Sequence, residues 1–316
     1  MVSLSPCTAR GVRWFIRRRM RRILLVTGRI FPGHAESSLA ATTDGSEKMS
    51  RERLCIVVKT YPQPSIKYQE LVCCGAISES GQWRRLYPIP FRRLPEYQKF
   101  SKYSWITAEL SPETDGRPES YRPDVPSMVI ESSAPMPAGD WRERMSLIYA
   151  AGVHSIESLK APEFAKKVSM STVRVGRIDG MDFRETDPDI TKKWGEIQSQ
   201  PQLPGIDQEV FRALQPMPFT FQYQFHCDDE ACKGHDITTT DWEVAALYTR
   251  KRSGGLSTGD AADAVCRDFL DRIARPGRSL HFFVGTTVRY GTWIIGGVAY
   301  PPQGTIDSLL DQERLL

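Results

Sequence analysis

The sequence lacks the short motifs that mark several large enzyme classes. It contains no GxxxxGK[ST] loop to hold nucleotide phosphates, no GxGxxG turn for a dinucleotide and no HExxH zinc pair. The zinc-deaminase pattern, H-x-E with a later P-C-x-x-C, is also absent. Function must therefore be inferred from composition and from less familiar patterns.

Long apolar runs are scarce as well. In the first 48 residues an arginine-rich core, residues 17–22, is followed by only four apolar residues, 23–26. Four residues are too few to span a bilayer or to form the apolar part of a signal peptide. We therefore expect no membrane partner, and interpret residues 1–48 as a disordered basic extension or a mis-assigned start before Met49.

Cysteine is limited to seven residues in 316, an odd number that includes the adjacent pair Cys73 and Cys74. A chain of this length with so few cysteines does not have the composition of a disulfide framework. The sequence predicts a protein of the reducing cytoplasm.

The remaining composition predicts an α+β protein of more than one domain. Short apolar runs separated by Pro and Gly turns predict a small OB-like β-barrel over residues 49–110. A Pro-rich linker or excursion is expected at 111–139, then an α+β domain with a zinc knuckle at 140–302 and a C-terminal tail at 303–316.

The densest pattern begins at residue 219, where apolar and polar residues alternate as in a half-buried strand. Cys227, Cys232 and His235 follow within nine residues and predict a metal site. Thiolate and imidazole together suit zinc, which needs a fourth ligand in a structural site. The candidates for that ligand are His226, Asp236, Cys266 and His281. The alternative is an acidic loop without metal.

Three carboxylates lie close behind this pattern in the chain: Asp236, Asp241 and Glu243. They could serve as a general base or hold a second metal ion, which makes them the candidate catalytic residues. Alternatively, Thr240 or Asp241 caps a helix that begins here, and the carboxylates support His235 from outside the metal site. The sequence leaves both interpretations open.

Aromatic and basic residues alternate along the first predicted barrel. Aromatic rings can stack on bases while cations contact phosphates, so this pattern is typical of a surface that binds single strands. The alternative is that the aromatic residues form the core and the arginines are solvated. The predicted contact residues are Trp83, Arg84, Arg85, Tyr87, Arg92 and Arg93.

Several motifs occur in a fixed order: residues 58–62, residues 81–91, the Cys227-x4-Cys232-x2-His235 spacing, Asp241-Trp-Glu243 and residues 301–302. Together they resemble, over about residues 52–302, a family of uncharacterised bacterial proteins whose genes often lie near mobile or defence genes. The resemblance implies a prokaryotic, cytoplasmic protein with an OB-like first part and a link to nucleic acid. It implies no established activity.

The first hypothesis is thus a zinc-stabilised nucleic-acid-binding protein. The second is a metal-dependent hydrolase resembling a nuclease, in which Asp241 or Glu243 acts as the base near the ion. A third is a protein-interaction subunit without catalytic activity.

Overall fold

A computed structural model describes residues 49–65, 69–131, 135–137, 139–165, 167–198, 216–287 and 291–313, all within the compact unit Ser46–Leu316. The predicted basic extension 1–48 lies outside the described residues. The described chain is a mixed α+β structure built on two closed five-stranded β-barrels.

The N-terminal strands form the first barrel, as predicted. They are β1 (Ser50–Lys59), β2 (Gln63–Ser65), β3 (Gln69–Ser78), β4 (Trp83–Ile89), β5 (Trp105–Pro112), β6 (Ser120–Pro123) and β7 (Val129–Ile130). The barrel order is β1-β3-β4-β6-β5, and β5 pairs with β1 to close it. Only the β4–β6 pairing in this ring is parallel.

The Pro-rich segment 111–139, predicted as a linker or excursion, contributes β6 and β7 to this barrel. Proline is tolerated there because Pro112 and Pro123 stand at strand ends, where a missing backbone N–H interrupts little of the ladder. The segment is therefore part of the first folded body.

The second barrel follows α1 (Trp141–Ala150), whose first turn is capped by Asp140 through Glu143 N. Its strands are β8 (Val153–His154), β9 (Met170–Glu185), β10 (Phe219–Cys227), β11 (His235–Thr239), β12 (Leu280–Thr286) and β13 (Trp293–Ala299). The ring order is β9-β10-β11-β13-β12, closed by β12 with β9, and only β11–β13 is parallel within it.

Helices connect and cover this barrel. They are α2 (Ile156–Lys160), α3 (Pro188–Gln198), α4 (Trp242–Ser253), α5 (Thr258–Ile273) and α6 (Gln303–Glu313). The apolar side of α5 packs on the barrel core, and α6 occupies the segment predicted as a C-terminal tail.

The strand predicted around residue 219 has the expected alternation. Phe221, Tyr223 and Phe225 point into the core of the second barrel, while Gln222 and Gln224 on the opposite face are half-exposed. Alternation with a period of two residues therefore assigned this strand correctly.

The two barrels pack against each other through the outer face of β1 and β3. Val57 and Ile77 on that face lie in one apolar cluster with Met170 and Phe283 of the second barrel. The approach is close, because a Cβ built on Gly296 would lie 2.7 Å from Val58 Cγ1. Glycine at this position permits the contact.

Candidate metal centre and binding surfaces

Four potential metal ligands converge where β10 ends and β11 begins. Cys227, Cys232 and His235 are joined by Glu157 of α2, and one ligand atom from each lies within 4.8 Å of the others. His235 Nε2 is 3.3 Å from Cys232 Sγ and 2.8 Å from Glu157 Oε1. We call these four residues the ligand group, and their arrangement is compatible with a metal site.

Backbone donors already point at the two sulfurs. Cys227 Sγ accepts a hydrogen bond from Ile156 N at 3.3 Å, and Cys232 Sγ accepts one from Cys227 N at 3.2 Å. Such bonds stabilise thiolate charge and orient metal-bound sulfur. Gly234, with a φ of 101°, provides the tight turn that brings His235 back toward the cysteines.

Without a cation, burial favours the neutral form of two members of the ligand group, Cys227 and His235. Burial raises the pKa of the Cys227 thiol, and the hydrogen bond from Ile156 only partly opposes that shift. Burial lowers the pKa of His235, against the opposing charge of Glu157. A bound cation would reverse the effect on Cys227, because metal coordination favours thiolate, and would reinforce the effect on His235, because it favours neutral imidazole.

The four sequence candidates for the remaining ligand lie elsewhere. His226 pairs with Asp179 at 2.8 Å, and Asp236 accepts a hydrogen bond from Gln222 at 3.3 Å. Cys266 packs in the barrel core on α5, and His281 is fully buried with its Nε2 3.1 Å from the Tyr149 hydroxyl. None of them belongs to the ligand group.

Asp241 and Glu243 surround Lys102 instead of the ligand group. Lys102 Nζ, from the first barrel, lies 3.0 Å from Glu243 Oε1 and 3.8 Å from Asp241 Oδ2. Asp241 also caps α4, because its Oδ1 accepts a hydrogen bond from Glu243 N at 3.0 Å. Capping of α4 is therefore an observed role of Asp241, and the hypothesis of a base beside the ion stays a prediction.

The charges of this cluster depend on burial. The side chain of Asp241 is 1% exposed, and burial raises its pKa to about 6 in spite of Lys102. The side chain of Glu243 is 46% exposed, so Lys102 outweighs its burial and lowers its pKa. Burial disfavours charge on Lys102 itself, but the two carboxylates prevail and raise its pKa.

The predicted nucleic-acid surface is partly buried. Trp83 and Arg85 are 6% and 5% exposed, because this face of β4 packs against the second barrel. The Trp83 ring stands edge-on to Phe283 with 6.0 Å between centroids, and Arg85 donates to Ser169 O at 2.8 Å. These two residues are therefore removed from the predicted contact surface.

The other predicted contact residues are more accessible. Arg84 pairs with Glu52 at 2.8 Å and Arg92 with Glu70 at 2.7 Å. Arg93 is half-buried, and Tyr87 is 40% exposed.

A pocket opens at the other end of the second barrel. It has a volume of about 190 Å³ and is formed by the start of β10, the end of β11, α3 and the residues after β1. The aromatic side chains that line it are Tyr61, Trp194, Phe219 and Phe221, and the hydroxyl-bearing residues are Thr186, Thr220, Thr238, Thr239 and Thr240. Such a lining suits a flat ring with a polar edge.

Two family models match the chain. The domain of unknown function DUF8758 matches residues 50–150, and the domain of unknown function DUF8757 matches residues 153–315, more than half of the sequence. The chain belongs to the DUF8757 family. This agrees with the predicted resemblance to an uncharacterised family, whereas the association with mobile or defence genes stays a prediction.

The two matched regions meet between α1 and β8, so each DUF region corresponds to one barrel. Glu157 stands four residues inside the DUF8757 match. A search of curated proteins finds no match to the chain. Among the described residues, no helix combines the length and apolar character needed to cross a bilayer.

Sequence reasoning did not predict the partners of Glu157 and Lys102. Both come from segments far along the chain from the residues they contact. A helix start at Ser155 with a carboxylate in its first turn is the only local signal at Glu157. That signal predicts a cap and gives no reason to expect a ligand.

Proposed function

We propose that the protein binds single-stranded nucleic acid and is stabilised by zinc. The observation that carries the proposal is the shared topology of the barrels. Numbered in chain order within each ring, both have strands in the order 1-2-3-5-4, with strands 3 and 5 parallel. This arrangement supports an OB-type assignment, and OB barrels bind oligonucleotides on strands 2 and 3 and the adjoining loops.

The position of the pocket supports this proposal. It lies at strands 2 and 3 of the second barrel, next to α3 in the connection between strands 1 and 2. Its volume of about 190 Å³ is below the 300–1,000 Å³ usual for drug-sized ligands. One base-sized ring is therefore the appropriate occupant.

Two arginines near the pocket support the same ligand. Burial raises the pKa of Tyr61, which lines the pocket, to about 12; the charge of Arg92 opposes this shift, and the charge of Glu70, which pairs with Arg92, adds to it. Arg92 thus lies close enough for its charge to act on the Tyr61 hydroxyl, with Arg93 next to it in the chain. We expect these two arginines, from the predicted surface, to contact phosphates while a base enters the pocket.

Zinc is the metal that best suits the ligand group, because it combines two sulfurs with an imidazole. The described cysteines are all free thiols, which supports a reducing, cytoplasmic setting. A prokaryotic mobile-element or defence system remains the proposed context, implied by the family resemblance.

The test is the binding of a labelled single-stranded oligonucleotide, followed by anisotropy over a range of salt concentrations. The variant carries Arg92→Gln and Arg93→Gln, together with Glu70→Gln because Glu70 is 7% exposed and would otherwise lose its partner. We expect weaker binding and a salt dependence shallower by about 1.4, since each phosphate contact on a single strand contributes about 0.7 to the slope.

Two control variants distinguish the loss of a specific phosphate contact from a general loss of positive charge. Glu70→Gln alone should leave the slope unchanged, and so should Arg250→Gln with Arg267→Gln, which removes two exposed positive charges from α4 and α5. Absence of binding by the unaltered protein at low salt would contradict the proposed function. An equal loss of binding in the Arg250 and Arg267 variant would contradict the proposed contact.

A further inference from the structure

The ligand group contains one residue that does not belong to the Cys/His loop. Glu157 lies in α2, which precedes β9 in the sequence, whereas the Cys/His loop comes after β10. Its Oε1 is nevertheless 2.8 Å from His235 Nε2. Its second oxygen, Oε2, is buried and has no hydrogen-bond partner in the described structure. A buried carboxylate oxygen without a partner is costly unless a cation satisfies it.

The remaining atoms are arranged around the same point. The sulfurs of Cys227 and Cys232 accept backbone hydrogen bonds, which orient them while leaving lone pairs for a cation. His235 Nε2 is directed at both Cys232 and Glu157. Two sulfurs, one nitrogen and one carboxylate oxygen are a complete tetrahedral set for zinc.

We infer that Glu157 is the fourth ligand of the zinc centre, and that the metal joins α2 to the loop between β10 and β11. The inference rests on the zinc part of the proposed function and gives that metal a structural role as a cross-link between two segments of the chain. Since α2 is the first helix after the connection between the barrels, the metal holds that connection onto the second barrel.

The surroundings of Glu157 are consistent with this role. Ser155 caps α2 and also donates a hydrogen bond to Asp229 Oδ2 at 2.5 Å, so the same two segments are joined beside the metal position. Two thiolates, one carboxylate and a divalent ion would leave one negative charge. The positive charge of Lys160 acts on His235 and offsets part of it.

The first experiment counts the ligands in the full-length protein. X-ray absorption at the zinc edge should show two sulfurs and two nitrogen or oxygen neighbours. Cobalt substitution should give the visible bands of a tetrahedral site with two thiolates. A count of three or four sulfurs would overturn the assignment of Glu157 without the need for any variant.

The second experiment substitutes the carboxylate. Glu157→Gln should lower zinc affinity roughly 100-fold or more, beyond the 10- to 100-fold typical of residues outside the ligand shell, and should shift the cobalt bands. Glu163→Gln, an exposed carboxylate six residues further along, should change neither measurement. If both variants keep the affinity and spectrum of the unaltered protein, the inference is wrong while the zinc proposal stands.

Hydrogen exchange tests whether zinc joins α2 to the loop between β10 and β11. Removal of zinc with a chelator, or Glu157→Gln, should increase exchange at the backbone amides of α2 and leave those of the first barrel protected. Unchanged exchange in α2 after zinc removal would overturn the joining role. If the unaltered protein contains no stoichiometric zinc, both this inference and the zinc part of the proposed function are wrong, although oligonucleotide binding can still be tested separately.

Discussion

The two barrels share a strand order but use the outer face of their second strand, β3 in the first and β10 in the second, in opposite ways. In the first barrel Val57 and Ile77 cover the outer face with apolar side chains, and the second barrel packs over them. In the second barrel the strand that corresponds to β3 is β10. Its outward side chains Gln222 and Gln224 are half-exposed and form a polar face. Topology thus places the strands, whereas the outward side chains decide whether a face binds a neighbour or meets solvent.

This difference limits where a ligand can bind. The face of the first barrel that carries Trp83 and Arg85 is used within the molecule, so it does not offer a free binding surface. On the second barrel the face of β10 that carries Gln222 and Gln224 remains half-exposed, and the pocket lies at the start of that strand.

The largest expected effect comes from breaking the ionic contact between the barrels. Lys102→Met should lower the free energy of unfolding by about 4 kcal/mol, because it leaves Asp241 buried without its cation. Urea denaturation at neutral pH measures the change. The pair Lys102→Met with Asp241→Asn should recover part of the loss, and a cost below about 1 kcal/mol for Lys102→Met would contradict the importance of this contact.

The two outer faces can be compared by a matched pair of substitutions on the second strand of each barrel. Ile77→Ala should cost about 3 kcal/mol, because the side chain is fully buried between the barrels and its loss leaves a cavity. Gln224→Ala should change stability by less than about 0.5 kcal/mol, as is usual on a solvated face. Equal costs would show that the two faces are energetically alike.

A smaller effect is expected in the dependence of stability on pH. The pKa of Asp241 is raised to about 6 in the folded protein, above its ordinary value of 3.8. Between these values the folded state holds a proton that the unfolded state has released, so stability falls as pH rises from about 4 to about 6. The fall should be on the order of 1–3 kcal/mol.

Asp241→Asn is the control, since asparagine also caps helices but does not titrate. Its stability relative to that of the unaltered protein should rise across this pH range, measured by urea denaturation at several pH values. Parallel pH profiles for the two proteins would contradict the raised pKa of Asp241.

Local patterns predicted much of the secondary structure. The alternation that begins at residue 219 identified β10 and its buried face, which carries Phe221, Tyr223 and Phe225. The spacing of Cys227, Cys232 and His235 was sufficient to bring those residues together, because a short loop with a glycine turn can do so by itself.

Features that depend on distant pairings could not be predicted in this way. Alternation indicates that Trp83 and Arg85 share a face but does not reveal what covers that face. Glu157 reaches His235 only because β8 and α2 are placed beside β9 and β10, and the closure of both barrels depends on strands far apart in sequence. Such contacts leave no pattern in the local sequence from which they could be predicted.

The close fit of Gly296 against Val58 also affects how the molecule could be divided. A chain ending near residue 150 would contain the whole first barrel and the whole DUF8758 match, yet it would present Val57 and Ile77 to water. We expect that piece to aggregate when produced alone and to become soluble when co-expressed with residues 153–315. The two barrels would then behave as halves of a split protein that reassemble through this apolar face.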